Sequence, residues 1–211
     1  MKEKGLFITF EGIDGSGKTT QLQLLYEKLL AMNKPVIRLR EPGSTELGEK
    51  IRNVISDKYI EISDYAELLL FFASRVQLIK ESINPALEEG KIVLCDRFND
   101  ATIAYQSYGR GVPLDIASTL EKLFILPLKP DVTFLLDCRY ETAVKRMNSR
   151  PNQTRIELLD KTFFKKVKNG YLGLAKNEPE RFVVINADED IMSIHENKIM
   201  FFLKDKGYVS A

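Results

Sequence analysis

Along the 211-residue chain, short blocks that are apolar at nearly every position alternate with longer stretches whose apolar residues recur every three or four positions. Five blocks have the first character: Leu6–Phe10, Val36–Leu39, Ile92–Cys95, Val132–Asp137 and Phe182–Ile185, all rich in Val, Ile, Phe and Leu. Such runs, without polar alternation, are expected of parallel strands covered on both faces. Helical spacing predicts helices at Thr19–Met32, with Leu22, Leu25, Leu29 and Leu30 on one face, and over Asp64–Glu89, Thr162–Lys176 and Asp190–Lys206. The long Asp64–Glu89 stretch has Ser63 or Asp64 as its cap and Gly90 just past its end. Strands alternating with helices predict an α/β fold: a five-stranded parallel sheet flanked by helices in three layers, joined by right-handed crossovers. There is no internal repeat, low-complexity run or linker, so residues 1–211 read as one domain. The polar, arginine-bearing segment 147–157, with Pro151, is predicted to be a mobile loop.

Charge narrows the partners. Lys and Arg total 31 against 30 Asp and Glu, a net charge of +1. Such a balance lacks the clustered basic excess of a nucleic-acid or membrane-surface binder, and neither partner is expected. No apolar run approaches the roughly 20 residues needed to span a bilayer. MKEKGLFITF lacks the apolar region and cleavage site of a signal peptide, so a cytoplasmic location is expected. Cys95 and Cys138, each closing an apolar run, read as small buried hydrophobes in a reducing compartment. The single histidine, His195, lies in a helical pattern without Cys or His neighbours, which leaves a zinc site without ligands.

The chemistry begins where the first strand ends. Residues 12 to 19, GIDGSGKT, match G-x-x-x-x-G-K-[ST] between a strand and a helix. Gly12, Gly15 and Gly17 allow backbone conformations closed to other residues, so that amides around Ile13, Asp14 and Ser16 turn inward toward an anion. The helix that opens near Lys18 directs its positive dipole end to the same spot. Lys18 reaches the terminal phosphates as a point charge, and Thr19 offers a hydroxyl to Mg²⁺. This loop is read as a nucleoside-triphosphate site. GTP switches, ATP-driven motors and small-molecule kinases all share it. The chain has no N-K-x-D base-reading motif, and its size and arginine distribution favour a kinase.

Those arginines fall in short motifs at strand ends: RLREPGST (38–45), FFASRVQL (71–78), DRFNDATIAYQSYGRG (96–111) and KRMNSRPNQTRIE (145–157). The planar guanidinium fork suits a cleft that gathers phosphate groups. In an open α/β sheet, ligands sit outside the carboxyl ends of the strands, so Arg40, Asp96 and Arg97 should face the same crevice as the phosphate loop. A structural ion pair is the competing role for Arg97. Phe71 and Arg75, four apart, share a helix face and can offer an aromatic plane and a donor to one flat base. Core packing is the rival reading for Phe71.

In this order and spacing, FEGIDGSGKTTQ, REPGST, LLLFFASR, CDRFNDATIAYQ with GRG, and an arginine-bearing segment ending in RIE resemble the thymidylate kinases almost end to end. The resemblance implies a P-loop kinase with a lid at about 146–157 that phosphorylates dTMP to dTDP with ATP and Mg²⁺. It implies that Phe71 stacks on thymine, that Arg75 meets its carbonyl edge, and that Arg97 with Arg40 and Arg52 holds the dTMP phosphate. By the same resemblance Asp14 lies near the deoxyribose 3′-hydroxyl or the metal, Tyr105 packs under the sugar, and Thr102 and Gln106 line the base pocket. Thr19 and Asp96 are its metal candidates. Arg146, Arg150 and Arg155 are its candidates for a catalytic lid cation, with Arg150 and Arg155 preferred. A homodimer packed through long helices is also implied, and Asp64–Glu89 is suited to it. The chain departs from the family pattern at Phe98, commonly tyrosine, at Ala101, commonly serine, and at Thr154, commonly an acid.

Overall fold

The computed structural model describes residues 5–149, 155–157 and 159–209. Its strands are β1 (Leu6–Glu11), β2 (Val36–Arg40), β3 (Ile92–Asp96), β4 (Val132–Asp137) and β5 (Phe182–Asn186). They form one parallel sheet in the order β2-β3-β1-β4-β5. Each expected strand is present, and four of them run one residue further than the apolar pattern because Glu11, Arg40, Asp96 and Asn186 continue the ladder. β1 lies at the centre with β3 on one side and β4 on the other, and every residue from Phe7 to Glu11 is buried.

Among the described residues ten helices connect or follow the strands: α1 (Lys18–Ala31), α2 (Glu46–Ser56), α3 (Asp64–Leu78), α4 (Asn84–Glu88), α5 (Asn99–Thr102), α6 (Leu114–Phe124), α7 (Tyr140–Asn148), α8 (Lys161–Asn177), α9 (Ile191–Ile194) and α10 (Phe201–Asp205). The expected helix over 64–89 is present but not uniform. α3 passes through a wider, π-type stretch at Ile79–Ile83 into α4, and similar stretches at Ile103–Gly109 and His195–Met200 follow α5 and α9. Caps anchor the starts: Ser63 accepts from the Ala66 amide, Thr45 from Gly48, and Asp160 from Phe163. Each satisfies a donor that the first turn would leave open. α7 extends helix into the first two residues of the segment expected to be a loop, whose residues 150–154 lie outside the described residues.

Two cores cover the sheet. Ile8, Phe10, Leu94 and Phe134 pack with Leu22, Leu25 and Leu29 of α1 and Leu203 of α10. Phe7, Val93 and Cys95 pack on Leu68, Phe72 and Leu78 of α3. Cys95 and Cys138 are free and buried, and His195 is buried as well. No helix among the described residues is long and apolar enough to cross a membrane.

Candidate functional site

The carboxyl ends of β1, β2 and β3 open into one cleft of about 380 Å³. Parallel register explains the convergence: Arg40 at the end of β2 pairs with Asp96 at the end of β3, and Asp96 with Phe10 near the end of β1. Of the residues singled out from sequence, Asp14, Gly15, Gly17, Lys18, Thr19, Arg40, Arg52, Phe71, Arg75, Asp96, Arg97, Thr102, Tyr105 and Gln106 line this cleft together.

The phosphate loop takes the expected form. Gly15 has φ 77°, and a β-carbon there would lie 2.4 Å from the Ala143 carbonyl oxygen, so neither the conformation nor the space admits a side chain. The Ser16 amide donates to the Ile13 carbonyl, and α1 begins at Lys18. Lys18 Nζ donates to the Ile13 carbonyl at 2.9 Å, which holds the ammonium across the loop. Gly12, Ile13 and Ser16 build the loop from behind: the Ile13 side chain belongs to the core, and Ser16 is buried. Burial and the nearby Arg97 lower the Lys18 pKa to about 8, against the pull of Asp96, Asp14 and Glu11.

Thr19 donates its hydroxyl to Asp96 Oδ2, which brings the two metal candidates side by side at the start of α1. These are hard oxygens beside a phosphate loop. The set suits Mg²⁺, which takes one or two protein oxygens and completes its octahedron with phosphate and water. No group of three His, Cys, Asp or Glu among the described residues could hold a metal by itself.

Arg97 stands in a left-handed backbone conformation, φ 70°, uncommon for a residue with a side chain. Its Nη2 donates to Asp14 Oδ1 at 2.7 Å and to Tyr105 Oη at 3.1 Å, and its Nη1 to the Gly12 carbonyl and to Tyr171 Oη. Tyr105 in turn donates to Asp14 Oδ2. Arg97 is thus both an ion-pair partner and a wall of the cleft. Burial disfavours its charge, but Asp14, Tyr105, Tyr171 and Asp96 together outweigh that and hold the guanidinium pKa well above its ordinary value. Arg40 pairs with Glu49 at 2.7 Å, and Arg52 donates to the Pro42 carbonyl at 3.1 Å. Burial and the like charge of Arg40 lower the Arg52 pKa, against the pull of Glu49 and Asp96.

At the other end, Arg75 is only 1% exposed. It donates to Glu41 Oε2 at 2.7 Å, Asn99 Oδ1 at 3.1 Å, the Phe98 carbonyl at 3.2 Å and Thr102 Oγ1 at 2.8 Å. Four of its five N–H groups are engaged among the described residues, leaving one for a ligand. Phe71 faces the cleft, while its neighbour Phe72 is buried in the core, which separates the two roles that the sequence left open. Gln106 donates to Glu67, a buried acid that also receives Arg110 and Arg155.

The arginines of the last motif divide. Arg146 reaches the carbonyls of Gly15 and Ser16, both at 3.4 Å, and that of Ala187 at 3.1 Å. Arg155 is held by Glu67 and the Ile55 carbonyl, toward the acceptor side and away from the phosphate loop. Arg150 lies outside the described residues. Sequence reasoning passed over Glu11, Glu41, Glu67, Asn99 and Tyr171. A signal existed for Glu11, an acid closing an otherwise apolar strand, whereas Glu41 and Glu67 are ordinary-looking charges whose partners are distant in sequence.

Known proteins resemble the chain over most of its length. A family model described as thymidylate kinase matches residues 10–198. A thymidylate kinase of Sulfurihydrogenibium sp. (strain YO3AOP1) is 48% identical over 193 residues, covering 91% of this chain and 94% of that protein. One of Thermoanaerobacter sp. (strain X514) is 45% identical over 196 residues, covering 93% and 96%. The crystal structure of thymidylate kinase from Ehrlichia chaffeensis superposes with a TM-score of 0.76 at 39% identity, covering 94% of this chain and 98% of that one. A phosphate loop, a cationic acceptor cleft and this breadth of likeness lead to one conclusion: the chain belongs to the thymidylate kinase family.

Proposed function

We propose that this chain, acting as a single kinase domain over residues 1–211, transfers the γ-phosphoryl group of ATP in line to a phosphate oxygen of dTMP, giving dTDP and ADP. The observation that carries the reading is the shared cleft: Lys18 and the loop amides at one end, Arg97, Arg40 and Arg52 between, and Phe71 with Arg75 at the other. The acceptor is already an anion at neutral pH and needs no general base. Catalysis then rests on positioning and on neutralising charge.

Lys18 holds the β- and γ-phosphates, and Arg97 aligns the acceptor phosphate with Arg40 and Arg52. Thr19 and Asp96 would hold Mg²⁺, which would neutralise charge on the phosphates during transfer. Phe71 stacks on the base, the free Arg75 N–H meets a thymine carbonyl, and Thr102 and Gln106 close the pocket. A donor there suits a carbonyl and would be poor for an exocyclic amine. Tyr105 packs beneath the sugar, near Asp14. Arg150 or Arg155 supplies the catalytic cation of the lid; Arg155 reaches the transferring group only by leaving Glu67.

A homodimer fits the exposed apolar stripe Tyr65, Leu69 and Val76 on α3, beside Leu47 and Val54 on α2. Sedimentation at micromolar concentration should give twice the monomer mass, and Leu69→Lys with Val76→Lys should give the monomer.

An acceptor panel with ATP and Mg²⁺, read as ADP and nucleoside-diphosphate formation, tests the activity. dTMP should exceed dUMP, with dCMP, dGMP and AMP poor. ATP binding without acceptor-dependent turnover would mean a binding module instead.

A further inference from the structure

Tyr171 meets the Arg97 side chain from behind and Glu11 the amide of the next residue, and neither Glu11 nor Tyr171 lines the cleft. Glu11 is the last residue of β1, wholly buried, and Tyr171 is on α8, 1% exposed. Glu11 Oε1 accepts the Phe98 amide at 2.7 Å, the peptide that directly follows the left-handed backbone of Arg97. Glu11 Oε2 accepts the Tyr171 hydroxyl at 2.8 Å, and the Tyr171 oxygen accepts Arg97 Nη1–H at 3.1 Å. The Arg97 amide itself donates to the Phe10 carbonyl at 3.0 Å, so the backbone is pinned on both sides of a conformation that L residues seldom adopt. One carboxyl group therefore holds the Phe98 amide next to Arg97 directly and the Arg97 side chain through a tyrosine.

We infer that Glu11 and Tyr171 are positioning residues for Arg97, fixing the guanidinium where it meets the acceptor phosphate. Burying a carboxyl group in the centre of a sheet is costly unless its oxygens are satisfied. Here one oxygen accepts the Phe98 amide beside Arg97 and the other the Tyr171 hydroxyl that receives the Arg97 guanidinium. The apolar alternative, a valine or isoleucine at position 11, would pack the strand as well and would leave the Phe98 amide without a partner. Tyr105 and Asp14 hold the cleft-facing nitrogen, and Tyr171 with the Gly12 carbonyl holds the other, which stops rotation of the guanidinium plane.

This inference rests on the dTMP kinase reading for its kinetic consequence, so the experiment pairs two readouts. NMR of arginine Nη–Hη groups follows the clamp whatever the substrate; steady-state kinetics follows the acceptor. In the native chain Arg97 should give separate, slowly exchanging Nη signals. Tyr171→Phe should merge them and lower kcat/KM for dTMP about tenfold, the scale of one hydrogen bond to a charged group, with KM for ATP within twofold. Glu11→Gln, which keeps one acceptor oxygen, should do the same to a smaller extent. In an Arg97→Ala background, Tyr171→Phe should cost nothing further. Unchanged Arg97 signals in both variants, equal effects on the two substrates, or additive losses in the Arg97→Ala background would each overturn the inference. A clamp present by NMR in a chain that makes no dTDP would support the positioning and remove the proposed activity.

Discussion

Arg97 Nη2 and Asp14 Oδ1 lie 2.7 Å apart at the mouth of the phosphate loop, and each keeps the other charged. Burial opposes ionisation of Asp14, but Arg97 and Lys18 outweigh it and hold the carboxyl below its ordinary range. Arg97→Ala therefore removes more than an acceptor contact, because it leaves Asp14 without its main partner. Loss of at least 10² in kcat/KM for dTMP is expected. A stability loss of about 2 kcal/mol is also expected, less than the roughly 3–5 of a fully buried pair because the cleft admits water. Acceptor kinetics and urea melts check both, and near-native turnover would remove Arg97 from the mechanism.

Lys18 gives a pH signature. Its pKa near 8 belongs to the free protein, and phosphates across the loop would raise it. Only the ammonium holds a phosphate, so above pH 8 binding takes up a proton and ATP affinity should fall, toward tenfold per pH unit. Below pH 8 it should be flat. Calorimetry in buffers of differing ionisation enthalpy would reveal the uptake; equal affinity at pH 7 and 9.5 would contradict it. Lys18→Ala should lower turnover by at least 10² at every pH.

Glu11 contributes to stability with the opposite sense from an ordinary surface acid. Burial, reinforced by Asp100, pushes its pKa up to about 8 in the folded chain from about 4.5. The folded state thus holds the proton more tightly. Its contribution is fully present below pH 4.5 and declines as pH rises through 8, by up to about 1.4 kcal/mol per pH unit. Thermal melts between pH 5 and 8 should slope downward less in Glu11→Gln than in the native chain.

Arg75 tests recognition apart from folding. Arg75→Met leaves Glu41 buried without its partner and should cost about 3–5 kcal/mol. Adding Glu41→Leu should recover most of that stability. The double variant should still lack the preference for dTMP over dCMP, and retention of that preference would show that Arg75 does not read the base.

The lid cation can be assigned by substitution. Alanine at Arg150 or Arg155 should lower kcat by about 10³ for whichever residue reaches the transferring group. Arg155→Ala should also raise KM for dTMP, since Arg155 shares Glu67 with Gln106. Near-native turnover in both variants would exclude the pair.

The sheet was legible because buried parallel strands are apolar throughout, and the ladder overran that pattern only where a polar residue ended a strand, as at Glu11 and Asp96. Helix α2 was passed over although Thr45 caps it and Glu46 and Glu49 lie in its first turn; at 11 residues, with Gly48 inside, its period is short and interrupted. The π-type stretches left no trace, since one extra residue hardly alters an apolar pattern. In the site, the phosphate loop was readable because its parts are contiguous. Glu41 and Glu67 were not, because their partners lie 34 to 88 residues away and only the fold brings them together.

The extra residue in the Ile103–Gly109 stretch has a consequence for how the site tolerates change. Tyr105 leans on Asp14 and Gln106 on Glu67, two adjacent side chains serving opposite ends of the cleft. A regular helix turns by about 100° per residue, so shortening this stretch by one would swing one of the two off its target. Point substitutions here adjust the pocket, whereas an insertion or deletion would part the contact with Asp14 from the contact with Glu67 in a single step.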